Sequence, residues 1–148
     1  MTYELKLQHQ LAPQQIDQLV ELYQHEWWTK GRERTDVEIM VSASDLLFVY
    51  VDQSDVLCAF ARVLTDKVYK AFIFDVIVRQ AFRGEGVGDR IVSDIKSHPE
   101  LARVRHIELY CKPELQTFYS RHGFSSETGG IVLMRAVAAN NSLQGRRP

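Results

Sequence analysis

Residues 74–97 read FDVIVRQAFRGEGVGDRIVSDIKS, and three local patterns follow one another in this stretch. Phe74–Val78 is a short apolar run rich in β-branched residues, which is typical of a buried strand. Arg83–Gly88 follows, with glycine at alternate positions. From Val87 onward apolar residues recur every four positions, which predicts an amphipathic helix that ends near Ser97. The stretch therefore predicts a strand, a glycine-rich loop and a helix in succession.

The glycine-rich loop predicts a binding site for a diphosphate. The first N–H groups of a helix have no intrahelical acceptor, and glycine lets the backbone approach an anion closely. Arg83 adds a permanent cation beside the loop. Two nucleotide motifs fit poorly, because Asp89 stands where a dinucleotide fingerprint counted from Gly84 needs glycine, and the Gly-Lys-Ser/Thr of a P-loop is missing. For the loop alone, an ordinary strand-to-helix turn stays the alternative.

Composition favours one globular domain without a metal. The chain has 148 residues, of which 45% are hydrophobic, and a net charge of −1, which gives no reason to expect nucleic acid or a membrane as partner. Its start lacks the pattern of a signal peptide, so we expect a cytoplasmic protein. Cys58 and Cys111 are expected to be buried free thiols. The five histidines have no metal-ligand spacing with one another or with cysteine, so we expect no metal.

Hydrophobic periodicity predicts the order strand, helix, helix, three strands, helix, strand, helix, strand, which is an α+β chain with a mixed sheet. Some boundaries are specific predictions. The first helix is expected to extend from Pro13 to Trp27 with Trp27 in the core, a capping box at Thr35 to open the second helix, and later strands to cover Val104–Cys111 and Ile131–Met134.

Two motifs resemble the GNAT superfamily, the acyl-CoA-dependent N-acyltransferases. The run VIV at 76–78 followed by RGEGVG at 83–88 resembles the family's pyrophosphate loop, Arg-x-x-Gly-x-Gly. The later segment FYSRHGF at 118–124 resembles its Phe-Tyr-x-x-x-Gly-Phe motif. The resemblance implies a small, bacterial-type single domain over residues 1–136, with 137–148 as a flexible tail. It also implies a mixed central sheet that is flanked by helices and splayed between its fourth and fifth strands.

The same resemblance implies acetyl-CoA as cosubstrate, with the pantetheine arm beside the fourth strand in the manner of an added strand. The residues expected to bind it are the backbone of Val76, Ile77 and Val78, then Arg83, Gly84, Glu85, Gly86, Val87, Gly88 and Asp89 around the diphosphate, and finally Lys112 and Phe118. Lys112 stands where the family often has asparagine, and a lysine is able to reach a phosphate instead.

Tyr119 is the residue that the resemblance places beside the CoA sulfur, where its hydroxyl would protonate the leaving thiolate; a packed aromatic side chain is the alternative. The base that takes the proton of the amine stays open between Asp75, Glu108 and water. The acceptor is expected at Trp28 and Arg32, because in this fold the connection between the first two helices overhangs the thioester end of the cleft, and at Asp75 on the strand next to it. For Arg32 the alternative is a solvated surface arginine.

The predicted function is transfer of an acetyl group from acetyl-CoA to a primary amine, carried by a small molecule or a peptide, through direct attack in a ternary complex. The alternative is a CoA-binding sensor or regulatory module without turnover. A nucleotide-binding protein is disfavoured by the two missing nucleotide motifs. The sequence does not identify the acceptor, and a homodimer is compatible with this prediction.

Overall fold

The computed structural model of this chain describes residues 4–138. These residues form two compact units that meet in the chain between Leu109 and Tyr110. The first unit contains β1 (Lys6–Gln8), α1 (Pro13–Gln24), α2 (Arg34–Ala43), β2 (Leu46–Val51), β3 (Leu57–Thr65), β4 (Lys70–Val78), α3 (Val87–Lys96) and β5 (His106–Glu108). The second unit contains a 3₁₀ turn (Pro113–Leu115) and α4 (Gln116–Ser120).

The sheet of the first unit is mixed and follows the order β1-β2-β3-β4-β5. The first four strands pair antiparallel with their neighbours, and β5 pairs parallel to β4. Short turns join β2, β3 and β4, as expected for a meander of antiparallel strands. This arrangement confirms the predicted α+β class with a mixed central sheet.

Helices cover both faces of this sheet, because alternate residues of a strand point to opposite sides. On one face, Val49 of β2 and Phe60 of β3 join Leu19 of α1 and Val37 of α2 in a single buried cluster. On the other face, the Tyr50 hydroxyl donates a hydrogen bond of 2.8 Å to Oδ2 of Asp94 in α3. The apolar stripe of α3 is fully buried, as its four-residue repeat predicts.

The fourth and fifth strands diverge after a short contact. β5 pairs with Lys70, Ala71 and Phe72 and with no later residue of β4, although β4 continues to Val78. Within residues 4–138 the edge of β4 beyond Phe72 therefore has no strand partner on this side. The predicted splay between these two strands is confirmed.

Three predicted element boundaries were wrong. α1 ends at Gln24 because the Thr29 hydroxyl bonds back to the Tyr23 carbonyl oxygen at 2.8 Å, and Trp27 is consequently 70% exposed and not part of the core. α2 begins at Arg34, so Thr35 lies inside the helix and does not cap it. The strand predicted over Val104–Cys111 shrinks to His106–Glu108, since a strand persists only where a neighbour pairs with it.

The predicted last strand over Ile131–Met134 was also wrong. The structure assigns no strand to residues 131–138, and these four apolar side chains are 62 to 87% exposed. An apolar run indicates a strand only where a sheet edge can accept its backbone hydrogen bonds. The single domain over 1–136 stays a prediction, and residues 139–148 of the expected tail lie outside the described residues.

Candidate active site

The glycine-rich loop joins β4 to the start of α3. Gly84 and Gly86 both have positive φ, +80° and +79°, and Gly86 is the N-cap of α3. Residues with a Cβ rarely adopt this backbone conformation, so the turn itself explains why Gly84 and Gly86 are glycines. Val87 is buried and begins the helix, while Gly88 and Asp89 form its first turn. The N–H groups of that first turn have no intrahelical acceptor and carry the partial positive charge of the helix dipole.

Two arginines beside the loop are paired with acids of the first helix and its C-terminal extension. Arg83 donates to the Val78 carbonyl at 2.9 Å and to Glu26 at 2.5 Å. Arg79 donates to the Leu57 carbonyl at 2.9 Å and reaches Glu21 at 3.5 Å. Half of the Arg83 side chain is exposed, so a phosphate is able to replace Glu26 as its partner. Glu85, predicted in this set, is exposed in the turn.

A cavity of about 230 Å³ lies next to these arginines and is lined by Ile77, Arg79, Arg83 and Glu21 among others. It adjoins the part of β4 that β5 leaves unpaired. A larger open cavity of about 510 Å³ is lined by residues of β1, the β2–β3 turn and Arg90. None of the residues predicted to bind acetyl-CoA lines the larger cavity, so the smaller cavity is the better candidate for the acetyl-CoA site.

The backbone of Val76–Val78 has a neighbouring strand on one side only within residues 4–138. Val78 pairs with Ala59 and Ile77 with Phe60 on the β3 side, and the Ile77 side chain belongs to the core cluster. On the opposite side no strand among residues 4–138 pairs with these three residues. An extended group carrying amides can therefore add to this edge as a strand would.

Asp75 lies in a bulge of β4. Arg62 pairs with Phe74 and Phe60 with Ile77, so Ala61 alone faces both Asp75 and Val76. Asp75 itself has φ of +57°, in the left-handed region. Consecutive side chains of a regular strand point to opposite faces, but the bulge turns both Phe74 and Asp75 toward Arg62.

The Asp75 carboxylate is the centre of a buried polar cluster, which we call the Asp75 cluster. Its Oδ2 accepts hydrogen bonds from Arg32 Nη1 at 2.8 Å, Arg62 Nε at 2.8 Å and the Tyr23 hydroxyl at 3.0 Å. The side chain of Asp75 is 5% exposed, that of Arg62 14% and that of Arg32 32%. The four residues come from α1, the connection after it, β3 and β4.

Electrostatics in the Asp75 cluster favour the ionised carboxylate. Burial raises the pKa of Asp75, but the hydrogen bonds and charges of Arg32 and then Arg62 outweigh burial and hold that pKa below its usual range. The pKa of Tyr23 is raised, first by burial and then by the Asp75 charge, so the phenol stays neutral and donates. An Asp75 with a lowered pKa and three donors on one oxygen is poorly suited to act as a general base.

The residues predicted to meet the acceptor are only partly brought together. Arg32 and Asp75 contact each other directly, whereas no hydrogen bond, ion pair or ring contact within residues 4–138 joins Trp28 to either of them. Trp28 is 41% exposed in the connection between α1 and α2. Arg32 is therefore not a solvated surface arginine: its guanidinium binds Asp75 and stacks over the Tyr23 ring, 4.7 Å from the centroid.

Tyr119 lies in α4, in the second unit. It is 9% exposed and contacts the rings of Phe118 and Phe124, with centroids 4.9 and 5.9 Å away. Gly123, at φ of +86°, ends the segment, and the N–H groups of His122 and Phe124 both bond to the Tyr119 carbonyl oxygen. The Tyr119 hydroxyl has no hydrogen-bond partner among residues 4–138. Burial, with a smaller contribution from Cys111, raises the pKa of Tyr119 to about 12, so the hydroxyl keeps its proton at neutral pH.

The remaining candidates are Glu108, Lys112 and the two cysteines. Glu108 on β5 pairs with Lys70 at 3.0 Å and is a third exposed, as a strand carboxylate on the surface would be. Lys112 precedes the 3₁₀ turn of the second unit. Both cysteines are free; Cys58 is buried and Cys111 partly buried, and burial raises the pKa of each thiol. No group of three His, Cys, Asp or Glu side chains that could hold a metal is found within residues 4–138.

Sequence reasoning missed Tyr23 and Arg62. Tyr23 continues the apolar stripe of α1, and Arg62 is a single charge in a strand, so neither carries a motif. A weak signal for Arg62 exists, because it is the one charged residue in the mainly apolar strand LCAFARVLT. A charge at such a position needs a buried partner.

Comparison with known proteins identifies relatives. The family model described as "Acetyltransferase (GNAT) domain" matches residues 43–126. The "GCN5-related N-acetyltransferase 1, chloroplastic" of Arabidopsis thaliana is 31% identical over 101 residues, which are 68% of this chain and 51% of that protein. The "Serotonin N-acetyltransferase 2, chloroplastic" of Oryza sativa subsp. japonica is 31% identical over 90 residues, 58% of this chain and 43% of that protein.

Among solved structures, a proposed GNAT-family acetyltransferase of Xanthomonas campestris pv. campestris is similar, with a TM-score of 0.74 and 25% identity. The superposition covers 89% of this chain and 94% of that one. By contrast, the two named plant relatives are longer, and this chain matches about half or less of their length.

Proposed function

Because the chain belongs to the GNAT acetyltransferase family, we propose that it transfers the acetyl group of acetyl-CoA to a primary amine by direct attack in a ternary complex. The observation that carries the proposal is the continuous path formed by the unpaired edge of β4, the left-handed Gly84 and Gly86, and the first turn of α3. An extended amide arm and a diphosphate match these features in this order.

The chain offers a separate contact to each part of acetyl-CoA. The backbone of Val76–Val78 pairs with the pantetheine amides, and the loop 84–88 with Asp89 binds the diphosphate through N–H groups. Arg83 exchanges its ion pair with Glu26 for one with a phosphate oxygen. Lys112 and Phe118 are the other two residues proposed to contact acetyl-CoA. Acetyl-CoA, when bound, supplies an acetyl thioester whose carbonyl carbon accepts the amine nitrogen as the C–S bond breaks.

Tyr119 is the proposed general acid. A hydroxyl with a pKa near 12 carries its proton at neutral pH, and no residue in the described range accepts a hydrogen bond from it. It donates to the departing CoA sulfur. The burial of Tyr119 among aromatic rings fixes its orientation, which lowers the cost of placing the donor at the sulfur.

Water is the proposed acceptor of the amine's proton. Asp75 is held as an anion by two arginines, and its lowered pKa weakens it as a base. Glu108 is tied to Lys70 on the surface. A general base at neutral pH needs a raised pKa, which is the opposite of the shift at Asp75.

Thiol release from acetyl-CoA in the presence of an amine panel tests the proposal. The panel contains amino acids, polyamines, peptides with a free amine, and serotonin, which is named in one plant relative. Turnover that depends on the amine supports an acetyltransferase. Binding of acetyl-CoA without thiol release for any amine would favour the alternative, a CoA-binding sensor.

The location of the protein is proposed to be cytoplasmic. No helix within residues 4–138 is long and apolar enough to cross a membrane. The chloroplastic location in the names of two plant relatives belongs to those longer proteins. Fractionation of the source cells, followed by immunodetection, tests this assignment.

A further inference from the structure

The charges of the Asp75 cluster do not balance. Arg32 and Arg62 contribute two positive charges, Asp75 contributes one negative charge, and Tyr23 is neutral. No second acid of residues 4–138 forms an ion pair with either arginine. An uncompensated charge that is largely removed from water is costly, so the cluster suits an additional anion.

Arg62 has the nitrogens that could bind that anion. Its Nε donates to Asp75, and neither terminal nitrogen has an acceptor within the described range of the chain. The guanidinium stacks over the Phe74 ring with its carbon 4.7 Å from the centroid, and the side chain is 14% exposed. The fork is therefore fixed in direction, and a planar fork with two adjacent donors matches a carboxylate or phosphate.

Arg62 lies on β3 opposite the part of β4 where the open edge begins. It lies opposite Phe74 on β3, two residues along β4 from Phe72, where the pairing with β5 ends. Asp75, its partner, immediately precedes the backbone at 76–78 that is proposed to pair with the cosubstrate. An anionic group bound at Arg62 would hold an attached amine close to the open edge of β4.

We propose that the acetyl acceptor carries a carboxylate or phosphate group besides its amine, and that the terminal nitrogens of Arg62 bind this group. Arg32, Asp75 and Tyr23 are positioning residues that hold the Arg62 fork by way of the shared carboxylate oxygen. This inference rests on the proposed acetyltransferase function and specifies its substrate class.

Matched acceptors test the inference in a thiol-release assay. Each pair differs by one anionic group: O-phosphoethanolamine against ethanolamine, and L-phenylalanine against 2-phenylethylamine. The parent protein should prefer the anionic member of one pair, and the pair concerned distinguishes phosphate from carboxylate. Arg62→Gln should reduce that preference about 10- to 100-fold, mostly through KM, since a charge-assisted pair of hydrogen bonds is lost. Arg62→Lys keeps the charge but not the planar fork, so its preference should lie between those of the parent and Arg62→Gln.

Arg103→Gln is the matched control, because Arg103 is exposed in the turn before β5 and its loss changes net charge equally. It should keep the parent's preference. Comparing each variant's preference within a pair cancels the difference in amine basicity between the two acceptors. Equal preferences in the parent and in Arg62→Gln, or a parent that prefers the uncharged member of both pairs, would overturn the inference while leaving the acetyltransferase proposal intact.

Thermal unfolding gives a second measurement that does not need turnover. O-phosphoethanolamine or L-phenylalanine at millimolar concentration should raise the Tm of the parent and of Arg103→Gln, but not that of Arg62→Gln. Ethanolamine and 2-phenylethylamine should have no such effect. If no amine supports thiol release, the acetyltransferase proposal fails, and the Tm shifts still decide whether Arg62 binds an anion. Unchanged Tm values in the parent with both anionic compounds would contradict the inference.

Discussion

Replacing Asp75 by asparagine removes one negative charge from the most buried ionic contact of the first unit. The two side chains have almost the same shape, so the substitution leaves no cavity. It leaves Arg32 and Arg62 side by side around a neutral amide, at a carboxyl position that is 5% exposed. The expected result is a large loss of stability without a change of fold.

The size of the loss follows from burial. Breaking a buried ion pair by neutralising one partner costs about 3–5 kcal/mol, because the other charge is left uncompensated. Arg32 is about a third exposed and is partly solvated by water, and an asparagine oxygen still accepts one hydrogen bond. Both features favour the lower end of that range, about 3 kcal/mol in the free energy of unfolding at pH 7.

Urea unfolding of the parent and the variant, followed by circular dichroism, measures this difference. With a urea m-value of about 2 kcal/mol/M, the midpoint should fall by about 1.5 M. Asp17→Asn is the matched control, since Asp17 pairs with Arg34 but is 67% exposed. Neutralising that surface pair should cost less than about 1 kcal/mol.

The pH dependence gives an independent check of the same contact. The folded-state pKa of Asp75 lies below its unfolded value of about 3.9, so its contribution is complete above about pH 5 and is lost as pH falls through the lower, folded pKa. The stability difference between the parent and Asp75→Asn should therefore shrink in acid below about pH 4. If the free energies of unfolding of Asp75→Asn and Asp17→Asn differ by less than about 1 kcal/mol at pH 7, the reasoning is refuted.

Further predictions concern the proposed acetyl-CoA site. Gly86→Val should weaken acetyl-CoA binding at least about tenfold in calorimetry, because a β-branched residue disfavours φ of +79° and covers the loop backbone; unchanged affinity in a folded variant would exclude the diphosphate assignment. Tyr119→Phe should keep the acetyl-CoA dissociation constant but lower kcat about 10- to 100-fold or more, and a kcat within about twofold of the parent would make Tyr119 a packing residue. In a pH profile the parent's kcat should rise as the amine loses its proton. Because the pKa of Tyr119 is near 12, kcat should not fall through loss of the Tyr119 proton below about pH 11. A fall in kcat near pH 9 that disappears in Tyr119→Phe would contradict this.

The strand, glycine loop and helix at 74–97 were predictable because the information is local. A glycine at a position of positive φ and an apolar step of four residues have the same meaning in any fold. β4 ends at Val78, and α3 runs from Val87 to Lys96, close to the predicted bounds. Gly123, which follows α4 in the FYSRHGF segment, likewise has positive φ, +86°.

Only the tertiary structure decided the composition of the Asp75 cluster. Tyr23, Arg32, Arg62 and Asp75 are separated by up to 52 positions, and their contact depends on strand register and on a bulge that turns Asp75 to the Arg62 face. Periodicity assigns Asp75 to the opposite face from Phe74, because it assumes a regular strand. Likewise the end of β5 and the absence of a strand over 131–138 depend on whether a neighbouring edge is present. Backbone pairing and ion pairing are made with distant partners, and a sequence pattern records only one side of each contact.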